Sequence, residues 1–222
     1  MAVTDAPKII SSRFELSDGH TLERYEATGG YEGLKAALAK SPAAVAEEVK
    51  SASLLGRGGA GFPAGVKWGF CPPGVFPRYL VVNGDESEPG TCKDIPLLMA
   101  SPHTLIEGIL CSCYAVNSHH AFIYIRGEVL HVIRRLMAAV KEAYAAGYAG
   151  RNILGTGFDC EITVHAGAGA YICGEETALL DSLEGYRGQP RLRPPFPAVA
   201  GLYARPTAVT TADPLPPVPC LV

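Results

Sequence analysis

A glycine-rich segment, Gly56-Arg-Gly-Gly-Ala-Gly-Phe-Pro-Ala-Gly65, has a composition that could bind a nucleotide. Five of its ten positions are glycine, and its first, third and sixth residues match G-x-G-x-x-G. Because glycine has no Cβ, a flat ring or a pyrophosphate can approach the backbone N–H groups directly. Residues 42–51 before it look helical, whereas a Rossmann fingerprint follows a strand. The pattern alone therefore leaves a nucleotide loop and an ordinary turn as alternatives.

Two further segments combine glycine with acidic residues. Asp85-Glu-Ser-Glu88 has three acids in four positions, and Gly174-Glu-Glu176 follows Gly167-Ala-Gly169. Carboxylates accept hydrogen bonds from ribose or ribityl hydroxyls and repel a bare phosphate. A solvated acidic turn explains the first segment as well, and acids at a helix start stabilise the macrodipole in the second. Three such segments in one domain nevertheless favour a cofactor site.

Two apolar runs, at residues 78–83 and 121–126, and a third that alternates more, at 160–165, predict the strands that position these loops. Helical spacing predicts helices over residues 95–115 with a break at Pro102, over 129–146, and from near Gly174 to Leu183. Strands that alternate with helices predict an α/β fold, a parallel sheet flanked by helices. Ligands of such sheets bind beyond the carboxyl ends of the strands, where both acidic segments fall.

Composition limits the classes of protein and partner. At 222 residues, 48% hydrophobic and 18% charged, the chain can bury one well-formed core. A net charge of -3 supplies no broad cationic surface, so nucleic acid and anionic lipid are disfavoured as partners. No secretory signal or membrane-spanning run is evident, and the odd, scattered set of seven cysteines does not form a disulfide framework. We therefore expect a cytoplasmic protein with reduced thiols and no metal site.

The motifs closely resemble the NADH-oxidising flavoprotein subunit of respiratory complex I, the proton-pumping NADH:quinone oxidoreductase. The matching blocks are residues 56–68, 83–91, 167–179 and 188–197, within a resemblance that covers about residues 30 to 207. Diaphorase subunits of NAD-linked hydrogenases and formate dehydrogenases share these blocks. The resemblance implies a modified Rossmann-like domain over residues 1–207 that holds FMN, with NADH stacked on the flavin.

The resemblance also implies roles for particular residues. The residues that would hold FMN are Gly56, Arg57, Gly58, Gly59, Lys67, Asn83, Asp85, Glu86, Tyr171, Gly174 and Glu175. Those that would hold NADH are Ala60, Gly61, Phe62, Phe70, Glu88, Glu176, Arg193 and Phe196. Aromatic rings offer a stacking surface for adenine, and a carboxylate near its ribose would repel the extra phosphate of NADPH. No side chain is implied as a catalytic acid or base, because the flavin N5 accepts the hydride.

Family members pass the electrons to iron–sulfur clusters and quinone through partner subunits. The implied partners are a thioredoxin-like [2Fe–2S] subunit and a larger iron–sulfur subunit, which would hold the chain at the inner face of the membrane without insertion. Neither the terminal acceptor nor the type of parent complex, respiratory, hydrogenase or formate dehydrogenase, follows from the motifs.

Residues 208–222 depart from the family and predict a proline-rich, extended tail. Members of the family continue instead with an Asn-containing FMN segment, a ubiquitin-like domain and a helical domain whose four cysteines bind a [4Fe–4S] cluster. That cluster is not expected in this chain, and the departure suggests a truncation or a shifted reading frame. The alternative to an active module is a non-catalytic remnant that cannot hold FMN.

Overall fold

A four-stranded parallel sheet forms the centre of the computed structural model, which describes residues 8–222. Its strands are β1 (Tyr79–Gly84), β2 (His120–Ile125), β3 (Glu161–Ala166) and β4 (Thr207–Thr211). They lie in the order β3-β2-β1-β4, and every neighbouring pair is parallel. The α/β prediction is confirmed, and the first three strands begin and end within one residue of the predicted runs.

Nine α-helices surround the sheet within the described residues. They are α1 (Leu22–Ala27), α2 (Glu32–Leu38), α3 (Pro42–Ser51), α4 (Ala64–Trp68), α5 (Asp94–Ala100), α6 (Pro102–Val116), α7 (Leu130–Ala145), α8 (Glu176–Leu183) and α9 (Pro197–Ala200). The helices predicted after the first two strands and near Gly174 are present. The predicted break at Pro102 separates α5 from α6, because proline lacks the N–H that a continuous helix needs.

Helices α5 and α6 also bear on membrane insertion. Helix α6 begins at Pro102, ends at Val116 and is capped by Asn117, whose φ of 55° is left-handed. In residues 8–222 no single helix is long and apolar enough to cross a membrane. Helices α5 and α6 together are long and apolar enough, but their axes bend by 103° where the two helices meet.

Each face of the sheet carries a hydrophobic cluster. The larger cluster joins Leu80 and Ile123 of the sheet to α1–α3, α6 and α7, and includes Ile109 and Leu136. The smaller cluster joins Val81 of β1 and Val209 of the edge strand β4 to α8. Because β1 is buried on both faces, as expected for a central parallel strand, the loop that follows it is firmly positioned.

The last residues of the chain pack into this core, so the prediction of an extended tail is wrong. Strand β4 pairs with β1 along its whole length, and Ala212, Leu215 and Val218 are buried in the larger cluster. A methyl group added at Gly108 of α6 would lie 2.2 Å from the carbonyl oxygen of Leu215. The missing side chain of Gly108 thus lets the proline-rich segment pack directly against α6.

Candidate functional site

Two adjoining recesses form one cleft at the carboxyl edge of the sheet. Their volumes are about 450 Å³ and about 430 Å³. Both are lined by Gly58, Asn83, Gly174, Glu175 and Thr211. These residues come from the glycine-rich segment, the ends of β1 and β4, and the segment after β3. The cleft lies where the strand order changes direction between β1 and β4, the position at which open α/β sheets bind ligands.

Asn83 at the end of β1 joins two of the converging segments. Its side-chain amide donates to the carbonyl oxygen of Gly174 at 2.8 Å. Its amide oxygen accepts from the backbone N–H of Asp85 at 3.1 Å. The segments after β1 and β3 are therefore held together before any ligand binds, which preorganises the cleft.

Asp85 presents a buried oxygen without a partner in the first recess. Ser87 donates its hydroxyl to Oδ1 of Asp85 at 2.7 Å, whereas Oδ2 has no hydrogen-bond partner. Burial raises the pKa of Asp85, and the Ser87 hydroxyl opposes that rise. The hydroxyl of Thr211, also in this recess, is buried without a partner as well. Because buried polar groups are nearly always hydrogen-bonded, both atoms suit a hydroxyl-bearing ligand such as the ribityl chain of FMN.

Glu86 lines the same recess, but its carboxylate caps α5. It accepts backbone N–H groups of Lys93, Asp94 and Ile95 at 2.6, 2.9 and 3.0 Å. An acid is stabilised at the N-terminus of a helix, where these N–H groups have no intrahelical partners. Glu86 thus has a structural role here, and its contact with FMN stays a prediction.

A lysine held between two buried acids lies beside Glu86 and was not predicted from the sequence. The Lys93 ammonium contacts Asp94 Oδ2 at 2.7 Å and Asp213 Oδ1 at 3.2 Å. Burial raises the pKa of Asp94 to about 6, despite the opposing effect of Lys93. Oδ1 of Asp94 and Oδ2 of Asp213 have no hydrogen-bond partner. A further cation, Arg57, places its Nε 4.0 Å from Asp213 Oδ2.

The second recess combines the glycine-rich segment with exposed aromatic rings. Gly59 has a φ of 110°, a conformation that other residues rarely adopt. The rings of Phe62 and Phe70 lie 5.8 Å apart and are 43% and 54% exposed. Phe62 lines the recess, and a large ring exposed to this degree can stack against an adenine or a flavin. Phe196 is 57% exposed but does not line the recess.

A chain of ion pairs crosses the second recess. Glu176 pairs with Lys67 at 3.0 Å and with Arg193 at 2.9 Å, and Arg193 also reaches Glu175. The other oxygen of Glu175 caps α8 by accepting N–H groups of Thr177 and Ala178. Burial tends to raise the pKa of Glu175, but a hydrogen bond from the Thr177 hydroxyl, the two N–H groups and Arg193 together lower it below the usual value.

Tyr171 and Glu88 meet at the mouth of the first recess. The Tyr171 hydroxyl donates to Glu88, and this hydrogen bond raises the pKa of Tyr171. The Tyr171 side chain is 62% exposed, so the face of its ring is available for contact with a ligand. The two side chains were predicted to hold different cofactors, and the structure places them in contact.

The cleft gathers most of the predicted site residues. Those lining the first recess are Arg57, Gly58, Asn83, Asp85, Glu86, Glu88, Tyr171, Gly174 and Glu175. Those added by the second are Gly56, Ala60, Gly61, Phe62, Lys67, Glu176 and Arg193. Gly59, Phe70 and Phe196 line neither recess. The lining residues that the sequence analysis missed include Ser87, Thr91, Lys93, Asp94 and Thr211.

One signal could have found two of the missed residues. Lys93 and Asp94 lie at the start of α5, just after the acidic segment that follows β1, and therefore at the edge where a parallel sheet binds its ligands. Thr211 ends β4, a strand that the apolar runs do not predict. The cofactor contacts assigned to individual residues remain predictions.

Comparisons with known proteins identify the family of the chain. A family model described as the Nuo51 FMN-binding domain, Complex1_51K, matches residues 49–212. The NADH-quinone oxidoreductase F subunit of Streptomyces coelicolor is 63% identical over 215 residues, which is 96% of this chain and 48% of that protein. The corresponding protein of Mycobacterium bovis is 57% identical over 227 residues, 99% of this chain and 51% of that protein. The chain thus spans about half the length of the curated relatives it matches.

Two solved structures also align with most of the chain. An NAD+-reducing [NiFe]-hydrogenase in its H2-reduced state aligns with a TM-score of 0.73 and 40% identity, over 83% of this chain and 31% of the hydrogenase chain. Its air-oxidized state aligns with a TM-score of 0.77 and 33% identity, over 97% and 34% of the two chains. The family match and the identity to the two NADH-quinone oxidoreductase proteins show that this chain belongs to the Nuo51 FMN-binding domain family.

Proposed function

We propose that this chain binds FMN in the cleft and passes a hydride to it from NADH, as a module of an NADH dehydrogenase. The convergence of three loops on one cleft, with unpartnered acceptors at its base, is the observation that carries the proposal. Family membership supplies the identity of the flavin. Bound FMN supplies the ring atom, N5, that accepts the hydride.

The side chains position the two nucleotides rather than exchange protons with them. Asp85 and Asn83 would orient the ribityl chain, while the exposed ring of Phe62 would stack on the dinucleotide. Glu176 would accept hydrogen bonds from the adenosine ribose and repel a 2′-phosphate. For that role Glu176 must turn partly away from Lys67 or Arg193, which now hold both of its oxygens.

Flavin binding is the direct test. The purified chain should quench the fluorescence of added FMN, and the bound flavin should bleach with NADH much faster than with NADPH. Glu176→Ala should reduce that preference for NADH, whereas Glu47→Ala on the exposed face of α3 should leave it unchanged. Fluorescence of FMN that stays unquenched at all protein concentrations would show that the chain is a non-catalytic remnant.

The electron acceptors and partners are part of the same proposal. A thioredoxin-like [2Fe–2S] subunit and a larger iron–sulfur subunit would receive the electrons and deliver them to quinone. The complex would lie on the inner face of the membrane, with this chain on its cytoplasmic side. Capture of both subunits with the tagged chain from its host would support this arrangement, and capture of neither would contradict it.

A second candidate is the same module in an NAD-linked hydrogenase, because the aligned solved structures belong to such an enzyme. The identity of 63% to the Streptomyces coelicolor protein, against 40% to the hydrogenase, favours the respiratory complex. The captured complex decides between them: NADH-dependent quinone reduction supports the first candidate, and hydrogen-dependent NAD+ reduction supports the second.

A further inference from the structure

A lysine in the first recess lies between two buried acids and close to an arginine. We propose that Lys93 is a positioning residue that, through Asp213, holds Arg57 over this recess as the ligand of the FMN phosphate. The inference rests on the proposed function and adds to it the side chains that recognise the phosphate.

Lys93 joins two segments that are far apart in the sequence. It precedes Asp94, the first residue of α5, and contacts Asp213, two residues beyond the end of β4. The Asp94 and Asp213 side chains are only 5% and 6% exposed, so an ammonium between them is needed to balance their charges. The contact therefore fixes the loop after β1 against the segment after β4, on two sides of the recess.

The second carboxylate oxygen of Asp213, Oδ2, faces Arg57. That oxygen has no hydrogen-bond partner, and the Arg57 Nε lies 4.0 Å from it. At this distance the attraction is that of an ion pair without a hydrogen bond. It orients the guanidinium while leaving its donors available, and the Arg57 side chain is 51% exposed beside the recess.

Arg57 is the cation best suited to a phosphate among those lining the two recesses. Lys67 and Arg193 are hydrogen-bonded to Glu176, and Lys93 is held by its two aspartates. Within residues 8–222, Arg57 alone of these four donates no side-chain hydrogen bond to an acid. A guanidinium also matches phosphate oxygens with two parallel donors.

The neutralising role of Lys93 matters because the recess is rich in acids. Asp85, Glu86, Glu88 and Asp94 all line it, and carboxylates repel a phosphate dianion. Without the Lys93 ammonium, the charges of Asp94 and Asp213 would be exposed to the phosphate. Asp213 would also lose its contact with the loop after β1, which helps to fix its position relative to Arg57.

FMN and riboflavin, which lacks the phosphate, provide matched probes for the test. In Lys93→Gln we expect FMN affinity to fall about tenfold or more, from fluorescence quenching, while riboflavin affinity changes less than about twofold. The backbone N–H of Lys93 still reaches Glu86, so the start of α5 is retained. Lys93→Arg keeps the charge and should restore FMN affinity to within about threefold of the original.

Two further variants test the connection through Asp213. If Lys93 acts through Arg57, adding Lys93→Gln to Arg57→Gln should change FMN affinity less than about twofold, because coupled residues are non-additive. If Lys93→Gln alone does not fold, Lys93→Gln/Asp213→Asn removes one charge of each sign and still breaks the connection. That variant should lose the preference for FMN over riboflavin as well.

The outcomes separate this inference from the proposed function. An original chain that binds neither flavin would overturn both. A chain that binds both flavins, but in which Lys93→Gln weakens them equally or the losses from Lys93→Gln and Arg57→Gln add, would overturn the role of Lys93 alone. Selective, non-additive loss of FMN affinity supports it.

Discussion

The cleft and the helical layer behind the sheet both bury polar side chains, but they treat them differently. In the cleft and directly beside it, four buried side-chain atoms lack partners, and they belong to Asp85, Asp94, Thr211 and Asp213. Among the described residues, these are the buried side-chain N and O atoms without a hydrogen-bond partner. Behind the sheet, a network of tyrosines, a histidine and three glutamates is hydrogen-bonded throughout.

That network joins α1 and α2 to α6 and α7. His103 is fully buried, and its Nε2 faces Glu142 at 3.0 Å, so Nε2 must carry the proton and Nδ1 accepts from the Tyr31 hydroxyl at 2.9 Å. Glu107 accepts from the Tyr25 hydroxyl at 2.5 Å and from the backbone N–H of Leu34 at 2.9 Å. Paired groups of this kind stabilise a fold, whereas unpaired ones leave bonding capacity for a ligand.

The largest effect that tests this difference is expected at Glu107. Glu107→Leu leaves the Tyr25 hydroxyl and the Leu34 N–H unpaired in the core, which should cost about 4 kcal/mol of unfolding free energy. Chemical denaturation of the flavin-free chain measures it. Glu107→Gln keeps an acceptor and should cost roughly half as much. Equal stability of Glu107→Leu and the original chain would contradict the view that the paired network behind the sheet stabilises the fold.

The response to pH should have opposite signs in the two regions. Burial raises the folded-state pKa of Asp94 from 3.8 to about 6, so the folded chain holds this proton more tightly than the unfolded chain. Stability from this site is greatest below the unfolded pKa and falls as pH rises toward and through about 6, by roughly 3 kcal/mol in total. Asp94→Asn should remove that loss, so its advantage over the original chain should grow between about pH 4 and pH 7.

At His103 burial lowers the pKa, although Glu142 opposes the shift. The unfolded chain then binds the proton more tightly, so stability is lost as pH falls below the unfolded value of 6.5. His103→Gln should reduce this acid sensitivity. Denaturation series of both variants across this pH range check the prediction, and slopes of the same sign would contradict it.

A smaller free-energy change, but one confined to binding, is expected at Asp85. Asp85→Asn keeps the shape of the side chain and removes its buried negative charge. Burial disfavours that charge, as the raised pKa of Asp85 indicates. The flavin-free chain should therefore be as stable as the original or slightly more so. FMN affinity should fall about tenfold, because a charged acceptor becomes a neutral one. Ser12→Ala on the exposed surface serves as the control. A loss of stability without a loss of affinity would assign Asp85 to the fold.

The cleft and the helical network differ in how much of each can be predicted from the sequence. Continuous apolar runs identified β1 and β2, because buried parallel strands need apolar residues on both faces. The more alternating run of β3 fits its place at the edge of the sheet, where it is only partly buried. Strand β4 is short, threonine-rich and adjacent to prolines, so its burial depends on pairing with β1, which no local pattern records. The same limitation concealed the contact between Lys93 and Asp213, which joins positions 120 residues apart.

The paired network was also missed, for a related reason. His103 and Glu107 read locally as ordinary polar positions of a helix, and their partners lie on other helices. The cofactor cleft was easier to predict, because glycine and acidic residues accumulate in three short segments. Each of those segments has a recognisable composition by itself, whereas a tertiary hydrogen-bond network has none.

The smallest effect should come from the edge of the network, at Tyr148. Its ring stacks on that of Tyr31 with centroids 3.7 Å apart, and its hydroxyl donates to Glu26 at 2.7 Å. Tyr148→Phe keeps the stacking and removes one partly exposed hydrogen bond, so it should cost about 1 kcal/mol of unfolding free energy. Tyr148→Leu also removes the stacked ring and should cost roughly 2 kcal/mol or more.

FMN affinity should stay unchanged in both Tyr148 variants. The network lies among the helices on one face of the sheet, whereas the cleft lies at the carboxyl ends of the strands. Thermal denaturation with and without FMN measures stability and binding together. If Tyr148→Phe costs as much as Tyr148→Leu, the hydroxyl rather than the stacked ring stabilises this edge. If either variant weakens FMN binding, the paired network supports the cleft, and the two regions are energetically coupled through the helices and the sheet between them.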